Sequence, residues 1–134
     1  MKLEDVEGIG PTEAEKLTLA GIGTGDALLE QGATGGGRAA VSKATGIDQD
    51  KILEWVNHLD LMRIKGVGSE YSDLLEMAGV DSPAELAQRN AANLATTFQE
   101  VVAARPGTVR RIPTEAEVAD WIAEAKNLPK VVEH

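Results

Sequence analysis

Val6-Glu7-Gly8-Ile9-Gly10-Pro11 and Ile64-Lys65-Gly66-Val67-Gly68-Ser69 decide how this chain folds. Each stretch reads apolar, spacer, glycine, apolar, glycine, and each opens onto a helical pattern. Laid over one another, they stand 58 residues apart (66 − 8). Ala14 then falls on Ser72, Leu17 on Leu75, Leu19 on Met77, Ala20 on Ala78, Gly21 on Gly79 and Ile22 on Val80. The simplest reading is one structural unit used twice, over residues 1–61 and 62–134. The glycines allow a tight turn and the close approach of another backbone, so Ile9 and Val67 are expected to plug between the flanking helices. Gly8, Ile9, Gly10 and Val67 are structural residues in this reading.

Working outward, punctuation marks the helices. Pro11 suits the first position of a helix opened by Gly10 or Pro11, and Gly21 stops it. Thr24-Gly25-Asp26 starts a short helix that ends near Gly32. Ala33-Thr34-Gly35-Gly36-Gly37 reads as a flexible interhelical loop with Thr34 near a cap, followed by a helix over Arg38–Thr45. A phosphate-cradling reading of those glycines lacks both a Gly-Lys-Ser/Thr ending and a preceding strand. Asp48 caps a helix whose apolar residues Ile52, Leu53, Val56 and Leu59 share one face. Trp55 on it is expected to be a packed anchor whose indole N–H finds a partner.

In the second half, helices are expected over Glu70–Ala78, from Ser82-Pro83 to Arg89, and over Ala91–Ala104. Thr114 with Glu117 forms a capping box for a last helix running to about Asn127. Trp55-Val56 is matched by Trp121-Ile122 at an offset of 66 (121 − 55), so the second unit is longer by eight (66 − 58). The Arg105–Pro113 connection takes up much of that length. No segment alternates with period two. The fold expected is all-α: a compact, pseudo-symmetric tandem bundle of about nine or ten short helices.

Composition bounds the function. With 43% hydrophobic and 3% aromatic residues, the core is aliphatic, which suits helix-on-helix packing. The absence of cysteine removes disulfides, thiolate metal sites and cysteine nucleophiles. His58 is the single internal histidine, too few for a zinc site, and no metal is expected. No run of about 18 apolar residues is present to cross a bilayer, and the first residues lack a secretion pattern, so a cytoplasmic protein without a membrane partner is expected. Net charge is −9, which opposes non-specific contact with phosphate backbones. Residues 1–61 carry five basic and eleven acidic side chains (−6), and residues 62–134 carry eight and eleven (−3).

The pattern apolar-x-Gly-apolar-Gly-x-x-x-Ala/Ser-x-x-Leu resembles the helix-hairpin-helix family. Val6, Gly8, Ile9, Gly10, Ala14 and Leu17 fill it once, and Ile64, Gly66, Val67, Gly68, Ser72 and Leu75 fill it again. The resemblance implies that N–H groups opening the following helix face outward, where DNA-binding members hold a phosphate beside a cation bound by hairpin carbonyls. A monovalent cation at a hairpin is the one cofactor it implies. A closer resemblance covers almost the whole chain. Val6–Pro11, Ile52–Asn57 joined to Leu61–Gly68, Leu86–Asn90, and Arg110-Arg111 ahead of Trp121-Ile122 resemble the bacterial domain-of-unknown-function 4332 family. That resemblance implies a tandem helix-hairpin-helix fold like the small helical domain of repair polymerases, and no established activity.

Charge separates the hairpins. Glu4, Asp5, Glu7, Glu13 and Glu15 crowd the first, against Lys2 and Lys16. Arg63 and Lys65 precede the second. The nucleic-acid contact expected is therefore Arg63, Lys65 and the N–H groups of Gly66, Gly68 and Ser69, with Arg110 and Arg111 added if the fold brings them near. The leading reading is a non-enzymatic binding module. Its alternatives are a protein-interaction adaptor with purely structural hairpins, and a repair-polymerase-like lyase acting through a lysine Schiff base.

Overall fold

The computed structural model describes residues 1–134 and is entirely helical, with eight α-helices, one 3₁₀ turn and no strand. The chain divides into two compact units: Met1–Asp60 with Lys130–His134, and Leu61–Pro129. No helix is long and apolar enough to cross a membrane.

The first unit begins with the 3₁₀ turn Leu3–Asp5 and continues through α1 (Pro11–Leu19), α2 (Gly25–Gln31), α3 (Gly35–Thr45) and α4 (Gln49–Leu61). Gly10 caps α1 and Pro11 takes its first position, where a missing N–H costs nothing. Between the 3₁₀ turn and α1, Gly8 sits at φ +92°, a conformation that side-chain-bearing residues rarely adopt. It is also closely covered: a Cβ there would lie 3.2 Å from Trp55 Nε1. Ile9 and Trp55 are both buried. The Trp55 N–H, expected to find a partner, has none within the protein. The edge that carries it is laid against Gly8, whose closeness comes from the missing side chain.

The glycine run also differs from its expected form. Thr34 is the N-cap of α3, with its hydroxyl accepting from Gly37 N–H at 2.9 Å, but Gly35, Gly36 and Gly37 are the first helical turn and not a loop. Gly37, a poor helix former, stands there because α2 comes too close to admit a side chain: its Cβ would collide with the Gln31 backbone carbonyl.

The second unit contains α5 (Ser69–Met77), α6 (Pro83–Leu86), α7 (Ala91–Ala104) and α8 (Glu115–Ala125). Gly66, at φ +91°, turns the chain into α5, and a Cβ there would lie 3.1 Å from Trp121 Nε1. Helix α6 is shorter than expected and α8 stops two residues sooner, while α7 has its expected bounds. α8 packs on α6 and α7, and α5 packs on α7. Leu74, Leu75, Leu86, Leu94 and Phe98 are fully enclosed in one core with Val67 and Trp121. Each such Leu contributes about 1.5–3 kcal/mol by leaving water, so aliphatic packing carries the unit despite its few aromatics.

The closing stretch departs from the sequence grouping, which placed it in the second half. Lys130–His134 belongs to the first unit, where Val132 is buried and Glu133 N–H donates to Ala33 O at 2.7 Å.

Candidate functional site

Helix α5 opens a cleft of about 570 Å³ lined by Gly66, Gly68, Ser69, Glu70, Tyr71, Arg110 and Arg111. That volume falls within the roughly 300–1,000 Å³ of small-molecule sites. Five of the seven residues expected at a nucleic-acid contact converge here. Arg110 and Arg111 reach it from the loop between α7 and α8. Arg63 and Lys65 do not line it. Arg63 Nη2 donates to Pro129 O at 3.0 Å, and the Lys65 backbone N–H donates to Glu124 Oε2 at 2.9 Å while its side chain stays exposed.

The α5 terminus contrasts with that of α1. At α1, Glu13 turns back so that its Oε1 accepts the Gly10 N–H at 3.0 Å. That carboxylate is an intramolecular anion on the helix start. In the second unit the position 58 residues on (71 − 13) is Tyr71, and no side-chain bond caps Gly68. The Tyr71 hydroxyl instead donates to Arg111 O at 2.9 Å, and its ring lies 5.3 Å from that of Trp121, tilted by 49°. The Gly68 N–H therefore lacks the carboxylate that its α1 counterpart, the Gly10 N–H, holds. A helix start in this state favours an anion.

Both arginines already hold carboxylates. Glu70 accepts from Arg110 N at 2.9 Å and Arg110 Nε at 2.8 Å, and its Oε2 lies 2.6 Å from Arg110 Nη2. Glu117 and Arg111 form a two-pronged pair, Nη1–Oε1 at 2.7 Å and Nη2–Oε2 at 2.9 Å. Glu117 Oε1 also accepts the Thr114 N–H at 3.0 Å, completing the capping box of α8. The Arg110 side chain is 92% exposed, so its pair with Glu70 is open to water, salt and competing anions.

The arginines move the acids in one direction. Arg110, through its side chain and then its backbone N–H, holds Glu70 below the ordinary carboxylate value. Arg111 first, then Thr114, lowers Glu117 to about 2 from 4.5. Both arginines are held more firmly protonated in return. A carboxyl whose pKa is depressed by folding stabilises the fold above its unfolded value, and loses that contribution as pH falls through the folded one. The second unit is therefore expected to lose stability as pH drops from 4.5 toward 2, with part of that loss absent in Glu117→Gln. Urea melts followed by Trp121 fluorescence would show it. Identical pH profiles for the two proteins would refute the assignment to Glu117.

The monovalent cation implied by the hairpin pattern would depend on backbone carbonyls. Val6 O and Ile64 O are each engaged by an N–H, from Ile9 and Val67 at 3.1 and 3.0 Å. Each carbonyl oxygen keeps a second lone pair, through which it would meet such a cation.

Sequence reasoning missed Glu70 and Glu117 as partners of the two arginines. The capping-box position of Glu117, six residues after Arg111, was a readable signal for one pair. Nothing local signals the other, which joins residues 40 apart.

These features define an all-helical protein of two units whose second unit carries an arginine-lined cleft at a helix start. Residues 7–128 match the family model described as Domain of unknown function (DUF4332), and the chain belongs to that family. Comparison with curated proteins and with solved structures gives no match.

Proposed function

We propose that the protein is a non-enzymatic binding module made of two helix-hairpin-helix units, and that the second holds a phosphate of a nucleic acid. The supporting observation is the cleft in which the uncapped start of α5 meets Arg110 and Arg111. In this reading the first hairpin is architectural, because Glu13 already occupies its helix start. The phosphate displaces Glu70 from Arg110, an exchange of one anion for another on a solvent-exposed guanidinium. Phosphate oxygens pair with arginine through charge-assisted, two-pronged bonds, as the carboxylate does. Lys65 adds a cation at the rim without fixing geometry.

The adaptor reading draws on a different observation. With both arginines paired to acids and a net charge of −9, the surface attracts phosphate weakly. The lyase reading lacks a suitable nucleophile: all seven lysines are exposed, and none has the desolvated setting that activates a Schiff-base amine.

Fluorescence anisotropy with labelled single- and double-stranded oligonucleotides at low salt tests the proposal. Binding should weaken as salt rises, and Arg110→Ala/Arg111→Ala should weaken it about tenfold or more and flatten the salt slope. Glu70→Gln should tighten it by freeing Arg110, and Lys16→Glu at the first hairpin should leave it unchanged. No binding at low salt, or binding indifferent to the arginine pair, would sink the proposal and favour the adaptor.

A further inference from the structure

The cleft at the start of α5 is larger than a phosphate group requires. At about 570 Å³ it has the size of sites that take whole small molecules, and an aromatic residue forms part of its wall. That residue, Tyr71, is the chain's one tyrosine and stands where the first unit has Glu13. Its ring is fixed on two sides. The hydroxyl donates to Arg111 O at 2.9 Å, and the ring lies 5.3 Å from that of Trp121, against the core of the second unit. Tyr71 is nevertheless only half-buried, so packing does not consume it. A ring held in place in advance offers a flat contact surface at little entropic cost.

Gly68 adds a second feature. Its φ of −103° and ψ of −161° are extended values open to any residue, and nothing lies within 4 Å of a Cβ built there. Neither strain nor packing within the chain calls for a glycine. At Gly10, 58 residues earlier (68 − 10), the room left by the missing side chain is taken by Glu13 Oε1, 3.0 Å from the Cβ position. The corresponding room at Gly68 lies in the cleft that Tyr71 and Arg110 line.

Resting on the phosphate reading above, we infer that the cleft receives one unpaired nucleotide of a single strand, its phosphate over Gly68 and Arg110 and its base stacked on Tyr71. Every base has a flat face, so stacking of this kind is tolerant of sequence. In a duplex each base is paired and stacked between neighbours, and none is free to reach the ring. A duplex therefore keeps the phosphate contact and forfeits the stacking.

Low-salt titrations of the full chain test this with an oligothymidylate strand, the same strand annealed to oligoadenylate, an abasic strand of equal length, and thymidine monophosphate. The single strand should bind about tenfold tighter than the duplex or the abasic chain, the effect of stacking one base. Tyr71→Leu should abolish that preference and leave the salt slope as it was, since no phosphate contact is lost. Tyr71→Phe keeps the ring and should keep the preference. Gly68→Ala should weaken all three chains alike, which separates the phosphate from the base. Equal binding of the three, or a preference that survives Tyr71→Leu, overturns the inference and leaves the phosphate reading standing. Binding of none overturns both. Thymidine monophosphate binding as tightly as the strand makes a free nucleotide the occupant and overturns the strand. If Tyr71→Leu does not fold, NMR of the wild type with isotope-labelled tyrosine decides. The ring signals of Tyr71 should move upfield with the single strand and stay in place with the abasic chain; equal movement with both overturns the inference.

Discussion

Gly37→Ala is expected to unfold the first unit or to destabilise it by roughly 3 kcal/mol or more, the upper end of overpacking costs. The added methyl would overlap the Gln31 carbonyl oxygen, stand 3.2 Å from its carbon and press within 3.0 Å of Thr34 Oγ1. The first two are backbone atoms, which cannot swing aside as a side-chain end can. The third is the hydroxyl that caps α3, so displacing it also frees the Gly37 N–H. Relief requires moving α2 away from α3. Gly36→Ala, one residue earlier, provides the control. Nothing lies within 4 Å of its Cβ position. Replacing a helical glycine there should stabilise the unit by about 0.5–1 kcal/mol. Urea melts read at Trp55, the tryptophan of the first unit, would separate the two. If both variants melt alike, the close approach of α2 and α3 is not what limits position 37.

Trp55→Ala is expected to cost about 3–5 kcal/mol, the range for emptying a large aromatic site. Trp55 is 1% exposed, and its ring edge forms the surface against which the first hairpin turns. Trp55→Phe should cost much less. The indole N–H has no partner to lose, so the change removes an unsatisfied buried donor along with some contact area. A phenylalanine variant as unstable as the alanine one would show that the N–H is satisfied in solution, for instance by a water molecule. Circular dichroism reads these variants, since the fluorescent reporter of the first unit is removed.

What was legible in the chain follows from how local each cause is. The glycine demand at Gly8 and Gly66 arises from backbone angles within the turn, so spacing alone exposed it. Helix α7 was readable to its last residue because Asn90 caps it and Arg105-Pro106-Gly107 follows it. The start of α3 was not, since three glycines argue against a helix until the neighbouring α2 is in place. The Trp55 N–H went wrong for a related reason: its surroundings are set by a residue 47 positions away (55 − 8), which has no side chain to bring an acceptor. At the cleft, the sequence singled out Arg110 and Arg111, and both line it. Their neutralisation by Glu70 and Glu117 depends on a loop folding back, and a census of charges along the chain does not register it.

The division of the chain carries a consequence for its synthesis. Residues 61–129 form one unit interrupting another, which resumes at residues 130–134. A ribosome therefore makes all of residues 61–129 before residues 130–134 of the other unit. The inserted unit has its core within one continuous stretch and can begin to fold as soon as that stretch emerges. The other unit must wait, with Arg38 lacking its Glu133 carbonyl until residues 130–134 emerge. Its assembly is governed by translation order as well as by sequence.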